Sequence, residues 1–154
     1  MSSRSRRLLA GILLTFALSA VAVPMDAASA GSRISADQER VAELVNGTRG
    51  NNGLRGLEIL PGFSDKATNW ARELVRCQCL KHREGPYGAN AGWCAAAENV
   101  GRGYSLEQIH RAFLGSPPHR ANILTGRMTH IGVGVAMDNN GEIFVVQAFQ
   151  DRSC

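Results

Sequence analysis

His119 stands in the run Ser116-Pro117-Pro118-His119-Arg120-Ala121-Asn122-Ile123-Leu124, in which a turn hands an imidazole to the first turn of a new helix. Proline fixes φ near the helical value and lacks the N–H that a helix start would leave unpaired, so tandem prolines suit that entry. An imidazole held there can act as a metal ligand or move a proton near neutral pH. Two rival chemistries around the histidines lack their context. His82-Arg83-Glu84 has the H-x-E spacing of zinc deaminases, but no Pro-Cys-x-x-Cys follows it. Ser116 lies near His119 but precedes a proline and lacks a strand-elbow-helix setting, so capping or turn formation is its expected role and not nucleophilic attack.

The elements that must position these groups follow from periodicity. Ser35 to about Asn46 reads as a helix, with Ser35 as N-cap, Gln38 at capping-box spacing, and Val41, Leu44 and Val45 on one face. The Gly- and Asn-rich stretch 47–56 reads as loop. A second helix is expected from about Ser64, with Ala67, Trp70, Ala71, Leu74 and Val75 inward. Residues 80–93 carry Gly85, Pro86, Gly88 and Gly92 and are expected to be irregular. Ser105 with Gln108 opens a third helix, whose apolar face is Ile109, Ala112 and Phe113, and a short fourth helix holds His119 to about Leu124. The period then changes to two: Ile131, Val133 and Val135 alternate with small residues. Asp138-Asn139-Asn140-Gly141 is a hairpin turn, and Ile143 to Phe149 returns as a strand.

Residues 1–30 read as a signal peptide. Arg4, Arg6 and Arg7 form a basic start, Leu8 to Val23 is an apolar run of 16 residues, and Ala28-Ser29-Ala30 supplies a cleavage site. The run is short of the roughly 20 residues that span a bilayer, so no stable membrane span is expected after cleavage. Residues 31–154 then form a single domain, destined for a secreted, extracellular location. The formal net charge of +4 for the whole chain falls to +2 without the leader's three arginines and Asp26. With no run of like charges and no interleaved aromatics, nothing points to nucleic acid. Cys77, Cys79, Cys94 and Cys154 are an even set in an exported chain, which favours two disulfides over a zinc site built from Cys77, Cys79, His82 and Cys94. Pairing Cys77 with Cys79 closes the tightest loop, so Cys94 is expected on one of them and Cys154 on the other, in either arrangement.

Ala97-Glu98-Asn99-Val100-Gly101, the Ser116 to Leu124 run and Thr129-His130-Ile131-Gly132-Val133-Gly134-Val135-Ala136 together resemble the CAP superfamily of cysteine-rich secretory, pathogenesis-related and venom antigen proteins. The resemblance covers roughly Ser35 to Phe149. It implies an α+β fold, an α-β-α sandwich with a small antiparallel sheet between helices. It also implies a central cleft in which His82, Glu98 and His119 match family positions for two histidines and one acid, with Asn99 holding the Glu98 loop. Two imidazoles and a carboxylate are a sensible ligand set for Zn²⁺ or another divalent metal. The family's second acid, just before the second histidine, has no counterpart in Phe113-Leu114-Gly115-Ser116, and Pro118 stands where many relatives have glycine. The expectation is a secreted, non-catalytic binding module for a weak divalent metal or an extracellular or lipid ligand. The alternatives are a metal-dependent hydrolase of cell-envelope material or protein, and a disulfide-braced interaction protein with a purely structural polar cluster. Arg120 is left open between an ion pair and solvent. His110 is expected to be exposed, and His130 to flank a strand start. Asn46-Gly47-Thr48 forms a sequon that is discounted in a chain of bacterial appearance.

Overall fold

Helix α1, Ala27–Asn51, presents Val41, Ala42, Val45 and Arg49 at helical spacing, and all four are buried. A computed structural model describes residues 27–85 and 95–153, with side chains from Ala36 onward. The leader run, Cys94 and Cys154 lie outside the described residues. After α1 come β1 (Glu58–Ile59), α2 (Pro61–Cys77), β2 (Ala95–Gly103), α3 (Leu106–Gly115), α4 (Pro117–Leu124), β3 (His130–Met137) and β4 (Ile143–Asp151). The sheet order is β1-β3-β4-β2. Strands β2, β4 and β3 are antiparallel, whereas the two residues of β1 pair with β3 in parallel, a departure from the purely antiparallel sheet expected.

Alternation along the strands creates two cores. Ile131, Val133, Val135, Val145 and Phe149 face α1, α3 and α4, together with Val45, Phe113 and Ile123. Phe144, Val146, Ala148 and Val100 face α2 through Phe63, Ala67, Ala71 and Leu74. Helices therefore cover both faces, and the α-β-α sandwich holds. The glycines of β3 make the α2 layer fit. A Cβ on Gly132 would come within 2.6 Å of Phe63, and one on Gly134 would run into the backbone of Ala67. Beyond β1, side chains cap the free edge of β3. Ser64 Oγ accepts from the Val133 N–H at 3.1 Å, and Gln38 donates to the Val133 carbonyl at 2.9 Å and to Thr68 Oγ1 at 2.8 Å. Such pairing shields a strand edge from other chains.

Several boundaries differ from the sequence reading. Ser35 lies inside α1, so Gln38 serves the sheet edge and not a cap. The helix also runs through Gly47 and Gly50 to Asn51, because Thr48 and Arg49 are anchored by tertiary contacts. Helix α2 starts at Pro61, the residue type that tolerates the first helical position. Strand β2 arises where no strand was anticipated, as its whole length pairs with β4. The third helix is capped as expected: Ser105 Oγ accepts from the Gln108 N–H at 3.2 Å, and the Gln108 side-chain oxygen accepts from the Tyr104 N–H.

The cysteine pairing is a correction. Cys77 and Cys79 are bonded to each other, and no free cysteine occurs among the described residues. Gln78 adopts the left-handed conformation (φ 50°) as the C-cap of α2, which folds the chain so that the two Cα atoms lie 5.2 Å apart. That separation is within the span a disulfide bridges. A left-handed C-cap thus makes the short loop that spacing alone argues against.

Candidate functional site

His82 lies on the irregular segment that follows α2. Its Nδ1 is 2.7 Å from Glu98 Oε1, and the Arg83 backbone N–H donates to the same oxygen at 3.1 Å. Glu98 shares the strand face of Val100, toward the α2 layer, so the chain leaving α2 passes over its carboxylate. The two partners differ in exposure: the His82 side chain is 65% exposed and that of Glu98 only 11%. A carboxylate accepts hydrogen bonds and donates none when ionised, so His82 carries its proton on Nδ1 in this pair.

His119 arrives from the other layer. Pro117 and Pro118 occupy the first turn of α4, as the motif predicts, and His119 is its third residue. Its ring meets Phe113 edge-on, with centroids 5.2 Å apart. Burial, followed by the nearby charge of His82, pushes the His119 imidazole below its ordinary value of 6.5. That shift favours the neutral ring, the form that ligates metals.

A buried amide network joins the two layers. Asn99 is fully buried and lies directly opposite Gln147 in the β2–β4 ladder. Asn99 Nδ2 donates to the His119 carbonyl at 3.1 Å and to Gln147 Oε1 at 3.0 Å. Asn122 Nδ2 in turn donates to Asn99 Oδ1 at 2.9 Å and to the Glu98 carbonyl at 3.2 Å. Asn99 thus positions His119 as well as the Glu98 strand. The sequence reading missed Gln147 and Asn122, although Asn122 is three residues beyond His119 in the same motif.

The structure brings His82 onto Glu98 and sets His119 within reach of the His82 charge. Among the described residues, no three His, Cys, Asp or Glu side chains converge as a metal-ligand set. Glu98 lies on the α2 side of the sheet and is engaged by His82, while α4 brings His119 from the other layer to the same β2 edge, near enough for the His82 charge to act on it. The donor types suit a divalent metal, but the geometry offers imidazoles and not a closed three-ligand cage.

The remaining histidines and Arg120 resolve as follows. His130 begins β3, with Nδ1 2.7 Å from Thr129 Oγ1 and Nε2 3.4 Å from Glu58. Arg120 makes no ion pair among the described residues and is exposed, beside Leu114 and Leu124. Both oxygen and nitrogen of the Asn46 side chain bind the backbone of Leu57, which occupies the sequon's acceptor.

His110 is buried, contrary to the exposed position expected, because α3 presses it against Thr48 of α1 with Nε2 2.8 Å from Oγ1. Its Nδ1 has no partner among the described residues, and burial pushes the ring below 6.5. The unfolded chain therefore binds protons that the native state refuses. Stability should be full above pH 6.5 and fall as pH drops from there toward the lowered native values of His110 and His119. The slope is at most about 1.4 kcal/mol per pH unit for each histidine. Urea midpoints between pH 7.5 and 5 test this, and His110→Phe should flatten the curve. An unchanged slope would exclude His110 as the source.

The comparisons with known proteins agree with this architecture. The family model of the Cysteine-rich secretory protein family (CAP) matches residues 42–149. YkwD of Bacillus subtilis, a protein without assigned function, is 31% identical over 128 residues, covering 77% of this chain and 49% of that protein. The chain thus spans about half the length of that relative. An outer surface protein from Borrelia burgdorferi superposes with a TM-score of 0.68 at 19% identity, over 77% of this chain and 94% of that one. An extracellular protein containing a SCP domain from Bacillus anthracis gives a TM-score of 0.68 at 21% identity, over 84% of this chain and 45% of that one. Both structures are similar in fold alone. With the family model spanning most of its length and the expected layers in place, the chain belongs to the cysteine-rich secretory protein (CAP) family.

Proposed function

We propose that this domain is an exported, non-catalytic binding module whose His82–His119 edge takes a divalent cation such as Zn²⁺ through imidazole nitrogens. The observation that carries the reading is the 2.7 Å contact between His82 Nδ1 and Glu98 Oε1. Metal-ligating histidines commonly donate their second ring N–H to a carboxylate, which fixes the tautomer and aims the free nitrogen. Glu98 acts in that way, as the group that orients His82, and not as a ligand itself. Two imidazoles leave most coordination positions to solvent or to a partner, so binding is weak. Catalysis is disfavoured because Gly115 and Ser116 stand where a second acid would serve as general base. Export rests on the basic and apolar leader, and similar proteins are described as extracellular or outer-surface. No helix among the described residues is long and apolar enough to cross a membrane.

Calorimetric titration of the cleaved protein with Zn²⁺ is the test. A single weak site should be lost in the His82→Ala/His119→Ala double variant. Glu98→Gln should weaken it by about 10-fold or more, the scale of lost outer-sphere support. Identical heats for wild type and double variant would rule out the metal site. Chelator-sensitive turnover of peptide or ester substrates, abolished by Glu98→Gln, would instead establish a hydrolase.

A further inference from the structure

The bond between Cys77 and Cys79 closes over Gln78 alone. A disulfide stabilises chiefly by restricting the unfolded chain, and that gain grows with the loop it closes, so a bridge over one residue contributes little by this route. Cys77 is exposed, whereas Cys79 is half-buried against the core under α2. Exposed disulfides are the ones open to thiol exchange. Between the two sulfurs Gln78 holds φ at 50°, the one non-glycine residue with positive φ among the described residues. Only glycine adopts that conformation without a steric penalty. The bridge therefore gains little from loop closure and keeps a side-chain-bearing residue in a disfavoured state.

What the bridge does hold is the exit of the chain from α2. The Gln78 and Cys79 N–H groups return to the Val75 and Leu74 carbonyls at 3.2 and 3.3 Å, and His82 follows three residues after Cys79. Residues 80–83 are all exposed. Lys81 sets its ammonium 5.6 Å from the centroid of the Trp70 ring, and Glu98 meets His82 Nδ1 at 2.7 Å and the Arg83 N–H at 3.1 Å. Contacts made by exposed side chains are individually weak. The direction in which the segment leaves α2 thus decides whether His82 meets Glu98.

We propose that the Cys77–Cys79 bond is a thiol-exchange site, opened by a small thiol at the exposed Cys77 sulfur, and that its opening releases His82 from Glu98. A thiolate attacks Cys77 Sγ and forms a mixed disulfide, and Cys79 leaves as a thiolate that takes up a proton. A second thiolate attacks the small-molecule sulfur of the mixed disulfide and frees Cys77. Two thiols are thereby oxidised to their disulfide, and the protein bond is reduced to two cysteines. Gln78 can then leave its left-handed conformation, and residues 80–83 lose the fixed start that aligns them over β2. The inference concerns the bond and the His82–Glu98 contact, so it stands whether or not that edge takes a metal.

The test uses the cleaved wild-type protein in metal-free buffer, equilibrated with glutathione at the poise of the cytosolic pool, which structural disulfides resist. Acid quenching, alkylation and peptide mass mapping should find most Cys77–Cys79 bonds open, with trapped glutathione on Cys77 in preference to Cys79. The imidazole nitrogen NMR signals of His82 should move toward those of Glu98→Ala, while the amide pattern of β3 and β4 stays in place. Cys77→Ser/Cys79→Ser should show the same displaced His82 signals without any thiol. A bond that stays closed, glutathione found on Cys79 instead, or loss of the β3 and β4 pattern on opening would each overturn the proposal. So would His82 signals that keep their native positions in the opened protein or in the serine variant.

Discussion

Arg49→Ala is expected to cost about 3–5 kcal/mol, the range for breaking a buried charged hydrogen-bond network. The Arg49 side chain is fully buried without an ion pair among the described residues, and burial pushes its guanidinium below the usual value. Four backbone carbonyls take its donors instead. Nε binds Arg55 at 2.9 Å, Nη1 binds Ile123 at 2.8 Å and Thr125 at 2.9 Å, and Nη2 binds Met128 at 3.3 Å. One side chain thereby ties the last turn of α1 to the turn after it, to the end of α4 and to the approach to β3. Alanine would leave those carbonyls buried without donors and open a cavity beside Ile123. Lysine keeps the charge but not the planar fork, so Arg49→Lys should recover only part of the loss. Urea denaturation should show a lower midpoint at unchanged slope. A loss under about 1 kcal/mol would mean that water replaces the guanidinium, which its complete burial argues against.

Asn99→Ala should cost about 3 kcal/mol and also disturb the site, because each partner left buried and unpaired carries a penalty of about 1–3 kcal/mol. The substitution removes donors from the His119 carbonyl and Gln147 Oε1 and the acceptor for Asn122. Asn99→Asp keeps the shape but not the donors, and it adds a buried charge, so it should fare no better. The functional readout is the His119 ring. Freed from its anchor, it should titrate closer to 6.5 by NMR than in the native protein, where burial holds it lower. A variant that is destabilised but leaves the His119 titration unmoved would make Asn99 a strut of the sheet and nothing more.

The legible parts of this chain were those governed by local chemistry. Ser105 and Gln108 marked the start of α3, the two prolines marked the start of α4, and the alternation of Ile131, Val133 and Val135 marked β3. Each signal needs only neighbours in sequence. Helix α1 was read too short because Gly47 and Gly50 lower helix propensity by up to about 1 kcal/mol each. That local deficit is offset by the hydrogen bonds of Thr48 and Arg49 to segments far along the chain. Strand β2 was not legible because Ala95-Ala96-Ala97-Glu98-Asn99 lacks β-branched alternation. It is a strand because β4 offers it a complete ladder. His110 read as exposed because its own helix gives no sign that Thr48 will cover it.

The motif residues His82, Glu98 and His119 were found from sequence as a set, since they fall in stretches matched to one family. The family, the two-layered helical cover and the missing second acid were all contained in residue types and their order. Only the tertiary structure decided how these side chains are paired. Because successive residues of β2 point to opposite faces, Glu98 is turned toward α2 and claimed by His82, while Asn99 beside it reaches through to hold His119. The same holds for Cys77 and Cys79, joined by a left-handed Gln78 at the end of α2. Pairings of this kind depend on which faces and termini meet after packing, and no local pattern encodes that.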